Sequence, residues 1–208
     1  MKGLILKEIF LVQSQFKLFI VLLLAFAISP FFQGDVGLVL TFYSIIGVII
    51  VTRSLEVDEI SQWNRFANTL PVKRSEVVKS KYVFSISLLL CLTVILTPVI
   101  WLSDQFVAPL VTGSVFSLLC VFFTLVMFAL SFVIPVYIKF GAIKGRFFLL
   151  FFAFIPAILL NLLSDYFTET HYLFVYNLLK SALAPIIALI VFTISYMISV
   201  KAFENKEF

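Results

Sequence analysis

Six long apolar stretches of this chain contain no Lys, Arg, Asp, Glu or His: 18–32, 36–52, 82–102, 106–138, 147–163 and 181–200. A helix needs roughly 20 residues to cross a bilayer, and three of the stretches are at the short end of that requirement. Inside lipid the backbone must satisfy its own hydrogen bonds, so helices are expected rather than strands. The sequence therefore predicts an all-α integral membrane protein with six transmembrane helices.

The positions of the basic residues predict the orientation of these helices. All of the 15 Lys and Arg residues except Lys180 fall in alternate connections and at the two termini. Because positive residues mark the cytoplasmic side of a membrane protein, both the N- and C-termini are expected to be cytoplasmic. The same topology explains the formal net charge of +4, so we expect no nucleic acid partner.

We interpret residues 1–208 as a single transmembrane domain, because the apolar stretches leave no room for a soluble domain. Residues 1–16 are predicted to form an interfacial helix, although an ordinary cytoplasmic tail would have a similar composition. One helical face of this segment would carry Ile5, Ile9, Val12 and Phe16, and another Lys7, Glu8, Ser14 and Gln15.

The largest predicted outer loop is 164–180, which is rich in aromatic residues and contains the chain's single histidine, His171. Aromatic side chains with a polar tip favour the lipid headgroup level, so membrane lipid is an expected partner. Two interpretations stay open for this loop: interfacial or re-entrant helices, or a loop that merely anchors the last span.

The sequence lacks the residues that membrane enzymes and proton-coupled carriers need within their spans. Proton or cation coupling generally relies on ionisable side chains at membrane depth, and the six stretches have none. No GxSxG occurs, and Gly141–Arg146, GAIKGR, lacks the spacing of a nucleotide-binding P-loop. We therefore expect no enzyme activity, metal or cofactor in this chain. Energy for transport would come from another subunit.

The only sizeable cytoplasmic loop is 53–81, and it is predicted to contain a short helix over 56–68. Ile60, Trp63 and Ala67 would form its apolar stripe, and Pro71 would end it, because the residue before a proline leaves helical geometry. Such a helix can transmit a push from a soluble partner. The alternative is a solvated juxtamembrane loop whose cations only set topology and contact anionic lipid.

The stretch DEISQWNRFANTLPVKRSEVVKSKY resembles the cytoplasmic loop of the type-2 ABC transporter permeases. The matching residues are Asp58, Trp63, Thr69, Leu70, Pro71, Val72, Arg74, Val77, Val78, Lys81 and Tyr82. The N-terminal MKGLILKE is similar to the family's opening interfacial helix. The six-span layout, the internal termini and the larger last outer loop extend the resemblance to the whole chain.

The resemblance implies a membrane subunit of a bacterial ABC exporter in the plasma membrane. A cytoplasmic ABC ATPase would bind ATP and Mg, and a second permease subunit, identical or paralogous, would complete a dimer. The 53–81 loop would dock on the ATPase. The ATPase-coupling interface is expected to comprise Glu56, Asp58, Glu59, Trp63, Phe66, Leu70, Pro71 and Arg74.

The cargo is only broadly constrained by the sequence. The chain has 26 Phe residues, which would suit a cavity for amphipathic or hydrophobic cargo such as a peptide, an antibiotic or a lipid-like molecule. Phe that simply covers lipid-facing helix surfaces explains them equally. The compact layout resembles exporters of antimicrobial or cytolytic peptides, including the phenol-soluble modulin exporters. An ATP-independent channel or carrier, and a non-transport scaffold or sensor subunit, remain alternatives.

Overall fold

The computed structural model describes residues 2–13, 16–28, 36–67, 69, 71–106, 115–162, 181 and 183–205. Across these ranges the chain forms helices and no strand, which confirms the predicted all-α fold class. The helices are α1 (Lys2–Gln13), α2 (Phe16–Ala27), α3 (Val36–Ile60), α4 (Trp63–Ala67), α5 (Arg74–Phe106), α6 (Val115–Leu162) and α7 (Leu183–Glu204).

Four of these helices, α3, α5, α6 and α7, are long and apolar enough to cross a membrane. The α1 and α2 helices, bent by 68° relative to each other, meet the same criteria only as a pair. The chain is therefore a multi-pass membrane protein. Six separate spans and two cytoplasmic termini stay predictions.

The α6 helix is divided at Gly141, whose φ of 82° and ψ of 174° are not helical. In a straight helix, two residues that are eight positions apart in the sequence lie about 12 Å apart along the axis. Yet the ring centroids of Phe140 and Phe148 are only 5.6 Å apart, and a Cβ on Gly145 would lie 2.7 Å from the ring of Tyr137. The chain therefore doubles back at Gly141, and we refer to the two parts of α6 as the 115–140 arm and the 142–162 arm. This turn coincides with the predicted connection between the fourth and fifth apolar stretches.

Two local predictions are wrong. The gap between the third and fourth apolar stretches predicts a short outer turn at Ser103-Asp104-Gln105. This segment is instead helical, because α5 continues through Phe106 and the Ser103 hydroxyl donates to the Ile100 carbonyl within the helix. The predicted 56–68 helix is two elements: α3 extends to Ile60, and α4 begins at Trp63 after Gln62, whose φ is 54°. A residue in the left-handed region cannot continue a right-handed helix, so the helix is interrupted at Gln62.

Three further predictions fall outside the described residues: the short outer connection at 33–35 between the first two apolar stretches, the start of the fourth stretch before residue 115, and the outer loop 164–180.

One part of the core is formed where α7 packs between α5 and the 115–140 arm. The buried face of α7 consists of Ala184, Ala188, Phe192, Ser195, Ser199 and Phe203. The Tyr82 hydroxyl of α5 hydrogen bonds to Ser195 and Ser199, and Ser195 donates to the Ser131 carbonyl of α6. Small residues permit close helix approach in membranes, and polar side chains link the helices.

The outer faces of the helices expose large apolar side chains. On α2 they include Leu18, Val21 and Leu24, and on α7 they include Ile186, Ile190, Ile194 and Met197. Contiguous apolar surface of this extent is unfavourable in water but is solvated by lipid chains.

Candidate functional site

Three carboxylates lie in the last two turns of α3: Glu56, Asp58 and Glu59. Successive residues of a helix point about 100° apart, because 3.6 residues make one turn. The three side chains therefore point in different directions, and each contacts a different part of the chain. We call this region, with the residues that the three carboxylates contact, the acidic junction.

Asp58 holds α3 to both α1 and α5. The Lys7 ammonium donates to its two oxygens at 2.6 and 2.8 Å, and the Lys81 ammonium also contacts the carboxylate. Asp58 and Lys81 are both buried. Because a buried carboxylate is stable only when it is paired, this contact fixes three helices at one point.

Glu8 of α1 completes this part of the junction. Its side chain is 1% exposed, and its Oε1 lies 2.6 Å from the Lys81 ammonium and 3.0 Å from that of Lys7. The Ser54 hydroxyl donates to Oε2 of Glu8 and accepts a hydrogen bond from Lys81 at 3.0 Å. Two ammonium groups and two carboxylates therefore form a cluster with no net charge, which lowers the cost of burying it.

Burial and the ion pairs act in opposite directions on the groups of α1. Burial alone would raise the pKa of the Glu8 carboxyl, but the Lys81 and Lys7 ammonium groups outweigh it and hold that pKa below its usual value. Burial, followed by repulsion from Lys81, lowers the pKa of the Lys7 ammonium despite its carboxylate partners. Glu8 is therefore ionised in the folded chain at neutral pH.

Glu59 contacts the turn at Gly141. Its Oε2 accepts a hydrogen bond from the backbone N–H of Ala142, which is the first residue of the 142–162 arm. The first N–H groups of a helix have no partner within it, and a carboxylate there also favours the positive end of the helix dipole. Glu59 thus caps a helix that is far from it in sequence.

Glu56 bridges two arginines. Its Oε2 accepts from Arg53 at 3.0 Å and its Oε1 accepts from Arg146 at 2.7 Å, while the carboxylate itself is buried. Arg146 belongs to the 142–162 arm, so this contact is a second link between α3 and that arm. An open cavity of about 430 Å³ adjoins the bridge.

The α4 helix is connected to the junction through Trp63. The Lys7 ammonium lies 4.5 Å from the centroid of the Trp63 ring, a cation–π distance, and Trp63 packs against the apolar core. In contrast, Phe66 and Ile60 are 55% and 75% exposed, and Pro71 is exposed too. The surface around α4 therefore exposes three apolar side chains, Ile60, Phe66 and Pro71.

Arg74 joins the start of α5 to the end of α7, because its guanidinium donates to the backbone carbonyl of Glu204 at 2.8 Å. The structure therefore places Arg74 outside the acidic junction. Leu70 lies outside the described residues.

The structure corrects the expected position of Glu8 and locates two carboxylates of the predicted coupling interface. Glu56 and Asp58 are buried and bound within the chain, and their part in an ATPase-coupling interface stays a prediction. Glu8, expected on the polar face of α1, lies on its buried face with Leu4 and Val12. The physical reason is the same in each case: a cation of another helix lies opposite the carboxylate. Contact of Glu59, Trp63, Phe66 and Pro71 with an ATPase stays a prediction.

Sequence reasoning missed Lys7, Glu8, Lys81 and Arg146 as members of one site. The one available signal was the position of Lys81, directly before Tyr82 at the boundary of an apolar stretch. Within the described ranges, no group of three or more His, Cys, Asp or Glu side chains could hold a metal ion. The charged groups of the junction link α1, α3, α5 and α6 by ion pairs and hydrogen bonds.

Among known proteins, the chain matches the model of one family. The family model described as ABC-2 family transporter protein matches residues 3–204. Searches of curated proteins and of solved structures return no match. The family match covers α1 to α7 and therefore includes the whole acidic junction.

Proposed function

Because the chain belongs to the ABC-2 family of transporter proteins, we propose that it is the membrane-spanning permease subunit of an ATP-driven exporter. The family implies a permease component of an ABC transporter. Permeases of this family generally work with an ABC ATPase and often with a second permease. Our proposal adds the direction of transport, the chemical class of the cargo and the residues that couple the permease to the ATPase.

The observation that carries the proposal is the connection of α4 to three other elements by the acidic junction. Trp63 contacts Lys7, Lys7 binds Asp58, and α3 then binds α5 through Lys81. Glu56 and Glu59 extend the connection to the 142–162 arm. A displacement of α4 is therefore passed to α1, α5 and α6 by ion pairs and hydrogen bonds rather than by flexible loops.

The exposed apolar surface around α4 supports a protein partner at this position. Ile60, Phe66 and Pro71 are exposed beside charged residues on the side predicted to be cytoplasmic. Large apolar side chains frequently dominate the energy of an interface. We propose that the ATPase docks on these residues, whereas Glu56, Asp58 and Trp63 act inside the chain as positioning residues.

ATP-driven closure of two ATPases would push the α4 helices of two permease subunits together. Packed interfaces change between discrete arrangements rather than deform continuously. The shift of α3 and α5 would thus switch the dimer between an inward-open and an outward-open arrangement. Transport would carry the cargo outward, from the cytoplasmic side of the membrane to the other side.

An open apolar groove on the surface of the helices supports a hydrophobic or amphipathic cargo. It has a volume of about 470 Å³ between α5, the 115–140 arm and α7. Its lining includes Val94, Phe116, Phe123 and Leu189, and its polar groups are chiefly the hydroxyls of Thr93 and Thr97. A small inorganic ion would not be desolvated favourably there, whereas an amphipathic peptide or lipid-like molecule would gain by burial of its apolar face.

The experiment that tests the proposal is reconstitution of the full chain with its ATPase in lipid vesicles. Efflux of a fluorescent amphipathic helical peptide would be measured with ATP and with a nonhydrolysable analogue. Phe66→Ala is expected to lower ATP-dependent efflux at least about fivefold, since a buried interface aromatic typically contributes more than 1 kcal/mol.

The control is Phe132→Ala, an exposed Phe within the apolar 115–140 arm, which should leave coupling unchanged. Efflux from the purified chain without the ATPase would instead identify a channel or carrier. Partner binding without any ATP-dependent flux would identify a scaffold or sensor subunit.

A further inference from the structure

The cavity beside Glu56 combines two guanidinium groups with apolar walls. Arg53 and Arg146 bind the two oxygens of the same carboxylate, so their charges lie close together at one edge of the cavity. Ile49 and Leu149 form the apolar wall, and Thr52 and Tyr137 contribute hydroxyl groups. The proposed coupling uses the Glu56–Arg146 pair but not the open volume of this cavity.

The charges at this cavity do not cancel. Two arginines face one carboxylate, which leaves a net charge of +1 on groups that are partly exposed; the side chains of Arg53 and Arg146 are 43% and 56% exposed. A guanidinium has five N–H donors, and each arginine directs one nitrogen at Glu56 among the described contacts. The other donors form a fork of the kind that binds a phosphate oxygen pair.

The location of the cavity indicates a ligand with an apolar part. Arg146 is followed directly by Phe147 and Phe148, both exposed, and Ile49 belongs to the apolar surface of α3. The guanidinium groups therefore lie at the level where a lipid-facing surface meets a charged one. A soluble phosphate would leave the apolar wall solvated by water, whereas a phospholipid would cover it with an acyl chain.

We propose that the cavity bounded by Arg53, Arg146, Ile49 and Leu149 binds the headgroup of an anionic phospholipid. The phosphate accepts hydrogen bonds from both guanidinium groups, and the upper part of an acyl chain packs on Ile49 and Leu149. Glu56 acts as a positioning residue that holds the two guanidinium groups in place. The volume of about 430 Å³ is within the range of about 300–1,000 Å³ that is typical of small-ligand cavities.

This site would tie lipid occupancy to the acidic junction, because Glu56 belongs to both. A bound phosphate would lie directly beside the Glu56–Arg146 pair that links α3 to the 142–162 arm. The binding proposal itself does not depend on the exporter function, and it is tested with the purified chain alone.

The test is native mass spectrometry of the full chain in detergent, titrated with phosphatidylglycerol or with zwitterionic phosphatidylcholine. We expect phosphatidylglycerol to bind more tightly. Arg53→Gln/Arg146→Gln should raise its dissociation constant about tenfold or more, because charge-assisted hydrogen bonds are lost. The matched control, Lys139→Gln/Lys144→Gln, removes the same charge from exposed lysines that do not line the cavity, and it should change the constant less than about twofold.

A second variant keeps both arginines and fills the cavity with a larger side chain. Ile49→Trp fills the cavity, whereas Ile45→Trp places the same side chain one turn away on the same exposed face of α3 and outside the cavity. Phosphatidylglycerol binding should weaken in the first variant and not in the second. If the arginine variants do not fold, the comparison of Ile49→Trp with Ile45→Trp still tests whether the lipid binds in the cavity.

Four results would overturn the site. Phosphatidylglycerol binding could be weakened as much by the lysine control as by the arginine variant, or the chain could bind phosphatidylcholine as tightly as phosphatidylglycerol. Ile49→Trp could leave phosphatidylglycerol binding unchanged, or inorganic phosphate could displace the lipid at low millimolar concentration. The last result would assign the guanidinium pair to a free phosphate.

Discussion

The carboxylate of Glu59 accepts a hydrogen bond from the backbone N–H of Ala142, 83 positions further along the chain. This contact joins the end of α3 to the turn at which α6 reverses direction. With the Glu56–Arg146 pair, it attaches the 142–162 arm to α3 at two points. The acidic junction is therefore the place where a push on α4 would reach the rest of the helices.

Replacement of Glu59 by Ala should destabilise the fold by about 1 kcal/mol, which is the usual cost of losing a helix N-cap. Thermal unfolding of the purified chain in detergent measures the effect. Glu204→Ala is the control, because that side chain is an exposed carboxylate near the end of α7. A loss of stability as large in Glu204→Ala would contradict the capping role of Glu59.

Gly141→Ala should be more harmful than a glycine replacement elsewhere. The φ of 82° at this position is unfavourable for any other residue, and an added Cβ would lie 2.6 Å from the Glu59 carboxylate. Backbone strain of this kind costs on the order of 1–3 kcal/mol. The matched control is Gly3→Ala, because a Cβ at Gly3 meets no atom within 4 Å. Equal melting temperatures for the two variants would refute the turn.

Lys81→Met should lower the free energy of unfolding by about 3 kcal/mol or more, because it leaves Glu8 and Asp58 buried with one cation fewer. Lys79→Met, at an exposed position in the same helix, should change it by less than about 0.5 kcal/mol. Denaturant titration of both variants measures the difference. Combining Lys81→Met with Glu8→Gln should recover part of the loss, and an additive result would show that the two side chains do not interact.

Acid should weaken the attachment of α1 through Glu8. The folded-state pKa of Glu8 is below the ordinary value of 4.5, so its stabilising contribution is fully present above that value. The contribution is lost as the pH falls below 4.5 and through the lowered folded-state pKa. Unfolding measured from neutral to acidic pH should show a smaller acid slope in Glu8→Gln than in the native chain. Identical slopes would mean that Glu8 is not held ionised by Lys7 and Lys81.

The helices were largely predictable because their signals are local. The absence of charge from 36–52 and 181–200 predicted helices where α3 and α7 lie, and the cations around Gly141 predicted a connection where the structure has its turn. The break at Gln62 was missed, because Gln carries no sequence signal for a left-handed backbone.

The acidic junction was predictable only in part. The acidic residues of α3 were recognised, but their contacts with Lys7, Lys81 and Arg146 were not predicted. Those cations also satisfy the pattern of a positive cytoplasmic face, so their charge alone does not reveal that all three contact buried carboxylates. Pairing between residues 51 or more positions apart, as in Lys7 and Asp58, depends on how the helices pack.

The most direct measurement is co-purification of the tagged full chain from its native membrane in mild detergent, with the partners identified by mass. We expect a stoichiometric ATPase with a nucleotide-binding P-loop, retained by the lipid-facing control Phe132→Ala and lost in Ile60→Ala/Phe66→Ala. Recovery of the chain without an ATPase, under conditions that keep other membrane complexes intact, would contradict the permease proposal. Retention of the ATPase by both variants would contradict docking on the exposed surface of α4.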